Sequence, residues 1–426
     1  MCNLLGAIIA LILINKAERI IAIPRFSTLA LWSAIAVFSS GAINAWTRLN
    51  FRDAWNSQYG NLVIFKIILG AILIFIGATH RKYIIKKLEG SRQVFQLLLV
   101  EVFVMIAAIS VGAWLSSSAP PVPENPRVVG VAEVIAGSPM LPAPNLGNVL
   151  WTYVPDAAIM GFLIFITALY IRGVVILAKR GDKWPIGRTI AFAFAVAATD
   201  FATSGGLGAY ARFSFSYHMV AHMILGMVAP IGFVLSAPIT LALRTLPIGR
   251  TSDERGIRGN LIALLHSKYF QVVSNPIVAL AIFDGSLFAL YMTPLFGDLM
   301  QSHFGHLFMS LHFLLAGTLF FHVIVGIDPS PKRVPYIVRI IILFAAMSIH
   351  AFFSIALMSS TSLLDGGYFA SLQRPWFVDL FADQKLGGSI GWAMGEIPII
   401  IALIATFIQW VRDDAREAKR FDRNAD

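Results

Sequence analysis

The strongest constraint on the fold is a series of continuous apolar stretches that run through most of the 426-residue chain. Each is about 20 residues long, the length at which a helix crosses the hydrocarbon core of a membrane. Apolar residues do not alternate with polar ones in these stretches, which excludes a transmembrane β-barrel. Backbone polar groups must be paired in lipid, so the chain has to cross as helices. The sequence therefore predicts an all-α integral membrane protein, a polytopic helical bundle of about 11 transmembrane helices.

The predicted spans lie at 3–23, 27–47, 61–79, 93–115, 151–177, 189–203, 214–243, 272–293, 304–326, 336–360 and 388–410. Lys and Arg collect in alternate connections between them, for example in 81–92 and 179–188. The positive-inside rule puts these connections in the cytoplasm. We therefore predict a multi-pass protein of the plasma membrane with an external N-terminus and a cytoplasmic C-terminus. The net charge of +10 serves this orientation, so no nucleic acid partner is expected.

Composition divides the chain into four regions. Residues 1–120 form a front part of about four spans, and residues 121–150 form an external linker rich in proline. Residues 151–411 hold seven spans, and 412–426 form a charged cytoplasmic tail.

Histidine and methionine gather near the predicted outer face of the back part, which carries eight of the nine histidines. In SFSYHMVAHMILGM, His218 and His222 stand four apart on one helical face, as do Met219 and Met223. The helix that begins QSHFGHLFMSLHF adds His306, Met309 and His312 at spacings of three. His350 lies about 20 Å along a third helix from its cytoplasmic start, in the outer half of the membrane.

Imidazole mixed with thioether indicates copper, above all the reduced ion Cu⁺, rather than zinc or magnesium. The lone cysteine, Cys2, offers no pair for a thiolate site. The segment HMVAH has Met219 where a zinc protease would carry its glutamate, and no enzyme is predicted. A proton relay, a polar packing layer and a haem pair formed by His222 and His312 remain alternatives.

Two acidic residues are candidates for orienting the imidazoles. Asp200 ends one span at the outer side, and Glu396 lies in the last span after GGSIGWAMG. Carboxylates commonly accept a hydrogen bond from a metal-binding histidine. An ion pair between Asp200 and Arg212 is the competing interpretation.

The back part resembles the CtaG family of cytochrome c oxidase assembly factors, which are seven-span membrane proteins. The resemblance rests on FSYHMVAHMILGMVAPIGFVLSAPITLALR, on HFGHLFMSLHFLLAGTLFFHVIVGIDPSPKR, on IHAFFSIALM and on ADQKLGGSIGWAMGEIP. It implies a polar constellation of His218, His222, His306, His312 and His350, and further matching positions at Asp328, Asp383, Gln384, Gly388, Trp392 and Glu396. His303 and His322 match less well.

The front part resembles the CopD family of copper-resistance proteins, through SGAINAWTRLN and SQYGNLVIFKIILGAILIFIGATHRK. Together the two resemblances imply a membrane copper-handling factor that helps insert copper into cytochrome c oxidase. Its expected partners are oxidase subunits, the lipid bilayer and an external copper donor. A transporter that carries copper or protons is the alternative function.

Overall fold

The computed structural model describes residues 51–79, 92–122, 129–249, 255–330, 334–376 and 379–425, and parts of 32–49. The predicted span 3–23, much of 27–47 and the basic connection 80–91 lie outside the described residues. Across the described ranges the chain is helical, and β pairing is limited to an isolated bridge between Tyr153 and Gly205. The structure confirms the all-α fold class.

Seven described helices are long and apolar enough to cross a membrane. They are Gln58–Gly77, Ala157–Lys179, Ile186–Thr203, Phe215–Thr245, His303–Val325, Tyr336–Ser359 and Leu380–Ala418. Shorter apolar helices cover Val102–Ser117 and Pro276–Tyr291. All nine predicted spans that fall wholly within the described residues therefore coincide with apolar helices.

The chain divides into two compact units, Met1–Val128 and Val129–Asp426. In unit 1 a short 3-10 helix, Arg52–Asn56, precedes α1 (Gln58–Thr79) and α2 (Arg92–Ser117). Its small core includes Tyr59, Val63, Ala108 and Val111. Phe75, Phe103 and Trp114 are exposed, as expected for side chains that face lipid.

Unit 2 begins with three shorter helices and two spans before the histidines. Its elements are α3 (Val131–Ala136), α4 (Leu146–Trp151), α5 (Ala157–Lys179), α6 (Ile186–Thr203) and α7 (Gly206–Tyr210). The next span contains α8 (Phe215–Met223), a π-helical segment (Ile224–Val228), α9 (Ala229–Leu235) and α10 (Pro238–Thr245).

The second half of unit 2 contains three long spans. The elements are α11 (Gly256–Leu265), α12 (Lys268–Val273), α13 (Pro276–Phe283), α14 (Gly285–Tyr291), α15 (Leu295–Met300), α16 (His303–Val325), α17 (Tyr336–Ser359), α18 (Tyr368–Ser371) and α19 (Leu380–Ala425). Phe215, Tyr291, Phe296, Phe320 and Phe353 fill the core between these helices.

Within the predicted linker 121–150, of which 123–128 lie outside the described residues, residues 129–150 belong to unit 2. They contain α3 and the start of α4, and Ala132 and Leu141 are buried in the core of unit 2. Tyr210 and Trp376 donate side-chain hydrogen bonds to the carbonyls of Pro142 (2.9 Å) and Leu141 (3.0 Å). Proline breaks helices but leaves carbonyls free to accept such bonds, and residues 129–150 are thereby tied into the core of unit 2.

Two helices begin at residues other than those predicted, because a carboxylate caps each N-terminus. The span predicted from residue 151 begins at Ala157, because the Asp156 carboxylate accepts from the N–H groups of Ala158 and Ile159. The last helix begins at Leu380 instead of 388, because Asp379 accepts from Phe381 and Ala382. This extension brings Asp383 and Gln384 onto α19, and the predicted tail 412–426 continues the same helix to Ala425.

Candidate functional site

His218 and His222 lie side by side on α8, fully buried in unit 2. Their four-residue spacing places both on one helical face, and their ring centroids are 3.9 Å apart. Phe296 lies 4.9 Å from the His218 ring and Phe313 lies 4.6 Å from the His222 ring, between centroids. The pair therefore sits in an aromatic enclosure.

The start of α8 is fixed by a carboxylate from α19. Asp383 is buried and accepts from the Ser214 hydroxyl (2.9 and 3.0 Å) and from the N–H groups of Phe215 (2.8 Å) and Ser216 (3.2 Å). A negative charge at a helix N-terminus satisfies free N–H groups and complements the helix dipole. Asp383 thus sets the position from which His218 and His222 project.

α16 brings a third imidazole to the pair. Its N-terminus is capped by the Ser302 hydroxyl, which accepts from the Gly305 N–H at 2.9 Å. Four residues after this cap, buried His306 places its ring centroid 6.0 Å from that of His218. We call His218, His222 and His306 the imidazole pocket.

The nitrogens of the imidazole pocket are largely without partners. Both ring nitrogens of His218, Nε2 of His222 and Nε2 of His306 are buried and have no hydrogen-bond partner among the described residues. A buried polar atom without a partner costs free energy, and such atoms mark places where water or an ion is bound. A neutral imidazole has one nitrogen with a free lone pair, so these three rings offer at most three lone pairs to a water molecule or an ion.

Tyr291 orients the imidazole of His222, the pocket residue that lies farther along α8 from its N-terminus. Its hydroxyl lies 3.0 Å from Nδ1 of His222, and Tyr291 is fully buried at the end of α14. When Nδ1–H donates to the phenol oxygen, the lone pair of Nε2 is free to bind a metal ion. Tyr291 therefore has the position expected of a group that fixes the tautomer of a metal-binding histidine.

His350 belongs to a separate polar pair. Its Nδ1 is 3.4 Å from the Asp284 carboxylate and its Nε2 is 3.1 Å from the Gly391 carbonyl oxygen. A carbonyl only accepts, so Nε2 donates to it. One proton is then shared between Nδ1 and the carboxylate. Gly395 makes room for the ring, because a side chain there would overlap the imidazole.

The other predicted ligands are more dispersed. His312 is half-buried, has an unpartnered Nε2, and lines an apolar groove of about 460 Å³ with Phe308 and Leu315. Met219, Met223 and Met309 are buried in the core cluster. Met219 lies beside Gly391 of α19.

Asp200 and Glu396 have other hydrogen-bond partners than the imidazoles they were predicted to orient. Asp200 accepts from the Tyr153 hydroxyl at 3.1 Å, and Glu396 accepts from the indole N–H of Trp392 on the same helix. Arg212, the alternative partner of Asp200, pairs with Asp156 at 3.6 Å instead. The direction in which each carboxylate projects depends on the rotation of its helix about its own axis, which the sequence does not give.

Tyr291 contacts His222 and Asp284 contacts His350, and neither Tyr291 nor Asp284 is among the residues predicted from the sequence. Asp284 is the acidic residue within the apolar run VALAIFDGSLFALY, and an acid in the middle of a span is a signal for a buried partner. A tyrosine at the end of such a run carries no comparable signal, because tyrosines are common at membrane interfaces.

Among the described residues, no three His, Cys, Asp or Glu side chains stand close enough to hold a metal ion as they are placed. The pocket thus offers two adjacent imidazoles and a third, His306, whose ring centroid lies 6.0 Å from that of His218. That donor set suits a soft ion of low coordination number, with thioether sulfur as a further donor, better than an ion that needs a closed tetrahedral cage.

Comparison with known proteins supports both resemblances. Residues 168–413, more than half of the chain, match the family model described as cytochrome c oxidase caa3 assembly factor. Residues 20–115 match the model of copper resistance protein D.

Uncharacterized proteins of Mycobacterium bovis and Mycobacterium tuberculosis are each 42% identical to the chain over 294 residues, and one of Mycobacterium leprae is 40% identical. These alignments cover 69% of this chain and 44–45% of the relatives, so the chain spans less than half of their length. No solved structure matches. On the family match over its back part, the chain belongs to the caa3-type cytochrome c oxidase assembly factors and carries a CopD-like region before it.

Proposed function

We propose that the chain binds cuprous ion as cargo in the imidazole pocket and passes it to a cytochrome c oxidase subunit during assembly. The pocket would open at the outer face of the plasma membrane, with the C-terminus in the cytoplasm. The observation that carries the proposal is the set of buried, unpartnered nitrogens on His218, His222 and His306. The family match supports the oxidase as recipient, and an external copper donor would supply the ion.

Cuprous ion fits the chemistry of this pocket. Neutral imidazole donates a lone pair to copper, and burial among aromatic rings favours a singly charged ion over a more strongly hydrated divalent one. Few donors and no closed cage permit release, which suits a protein that hands its metal on. Of the predicted ligands, the proposal retains His218, His222 and His306, while His312, His350 and the three methionines stay predictions.

The structure gives less support to the alternatives. A haem between His222 and His312 would need open space, and the Phe313 ring contacts both imidazoles, at 4.6 and 5.5 Å between centroids. A transporter would need a polar route past the π-helical segment. There the backbone of Gly226 packs against Gly317 of α16, so closely that a single added carbon at Gly317 would overlap it.

The direct test is copper analysis of the purified full-length protein after anaerobic loading with cuprous ion. We expect His218→Ala combined with His222→Ala to abolish bound copper, and oxidase assembled in cells carrying this variant to lose activity. His266→Ala, an exposed histidine at the end of α11, is the matched control and should bind copper normally. Normal copper content in the double variant at equal protein level would reject the proposed site.

A further inference from the structure

His303 occupies the surface above the imidazole pocket. It is the first residue of α16, one turn before His306, and its side chain is 56% exposed. The three-residue spacing places it on the same helical face as His306. Exposure then falls along the series, from His303 to nearly buried His306 and on to fully buried His218 and His222.

A neutral ion pair flanks this approach. The Asp156 carboxylate lies 3.6 Å from the Arg212 guanidinium and 3.6 Å from Nε2 of His303. Burial lowers the pKa of Arg212 and Asp156 raises it, and the paired charges leave little net field for an approaching cation. The Tyr368 hydroxyl donates to the Arg212 carbonyl at 3.1 Å and fixes this loop.

The opposite end of the pocket is closed. Below His222 lie the buried side chains of Tyr291, Phe313 and Leu225, followed by the close Gly226–Gly317 packing. Phe296 closes the side next to His218. The rings of Tyr291, Phe313 and Phe296 therefore line the pocket around His218 and His222, and His306 lies on the side toward exposed His303.

We propose that His303 is the exchange ligand through which copper both enters and leaves the pocket. This inference rests on the proposed function and adds a residue and a direction to it. The ion passes from an external donor to the exposed imidazole of His303, then to His306 and on to His218 and His222. It returns by the same steps to the recipient. Each step exchanges one imidazole nitrogen for another on the cuprous ion, whose oxidation state does not change, so no electron is transferred.

The test compares exchange rates with binding capacity. Purified full-length protein is mixed with cuprous ion held by a coloured chelator, and uptake and back-transfer to excess chelator are followed by stopped-flow absorbance. For His303→Ala we expect both rates to fall by about tenfold or more, on the scale of losing one metal contact, with unchanged final stoichiometry. His303→Met, which supplies a thioether donor, should recover most of the rate.

Phe304→Ala is the matched control, because Phe304 is the adjacent residue and is also exposed at the start of α16. Its rates should equal those of the unmodified protein. Copper binding with unchanged rates in His303→Ala would overturn the exchange role alone, and so would a loss of stoichiometry, which would make His303 a permanent ligand. Absence of copper from the unmodified protein would instead overturn the proposed function itself.

Discussion

Two sites in unit 2 hold buried histidines whose nitrogens are satisfied differently, and buried His322, whose Nε2 has no partner among the described residues, lies in neither. In the His350–Asp284 pair, both ring nitrogens of His350 have partners. In the imidazole pocket, four nitrogens have no partner in the part of the chain that the structure describes. The comparison teaches that a buried histidine in a membrane helix can serve packing or ligand binding, and that the hydrogen-bond inventory separates the two. In the proposed function the second group binds the metal, and the first group then serves packing.

The largest effect is expected from breaking the His350–Asp284 pair, in which both ring nitrogens of His350 have partners. Asp284→Ala leaves the His350 imidazole buried without the hydrogen-bond partner of its Nδ1, so the free energy of unfolding should fall by about 3 kcal/mol or more. Thermal unfolding in detergent measures this, with exposed Asp298→Asn as the control. Copper stoichiometry of the folded fraction should stay normal. If the Asp284→Ala protein is stable but binds no copper, the metal site would have to be assigned to His350 and Asp284 instead.

Tyr291→Phe tests the imidazole pocket at the group that orients it. Removing the hydroxyl that lies 3.0 Å from Nδ1 of His222 should weaken copper binding by about 10- to 100-fold. Competition with a cuprous chelator of known affinity gives the ratio. Tyr170→Phe, whose hydroxyl donates to the Ser236 carbonyl away from the pocket, is the control and should leave affinity unchanged. Equal affinities for both variants would remove Tyr291 from the site.

Gly395→Ala probes the room made for His350. The added methyl group would overlap the imidazole, so α17 or α19 must shift, at a cost of about 1–3 kcal/mol in the free energy of unfolding. Gly161→Ala in α5, where nothing lies near the added carbon, provides the control. We expect that control to be neutral or slightly stabilising. A stable Gly395→Ala protein would show that the packing around His350 is loose.

The smallest effect on stability is expected where the nitrogens have no partners. His218→Leu replaces two unsatisfied polar atoms with an apolar group, so the free energy of unfolding without copper should change by less than about 1 kcal/mol. The same change should abolish copper binding in the loading assay. Strong destabilisation would mean that His218 is a packing residue, and the contrast with His350 would disappear.

The sequence predicted the site in part. The four-residue spacing of His218 and His222 fixes a shared face in any helix, and the structure brings His306 to that face. It did not predict the partners of these histidines. The sequence places Asp200 and Glu396 near the predicted outer end, whereas Tyr291 and Asp284 make the contacts with His222 and His350. Depth along a helix follows from residue counting, but rotation about the helix axis follows from packing.

By itself the sequence determined that the chain crosses a membrane as helices, that histidines gather in its back part, and which family it resembles. These properties depend on local hydropathy and on spacing within one helix, which do not require knowledge of neighbouring helices. Only the tertiary structure decided that Tyr291 reaches His222 across 69 residues and that Asp383 caps α8 across 168. Such contacts depend on how close-packed helices interlock, and here small residues such as Gly317 and Gly395 permit the close approach.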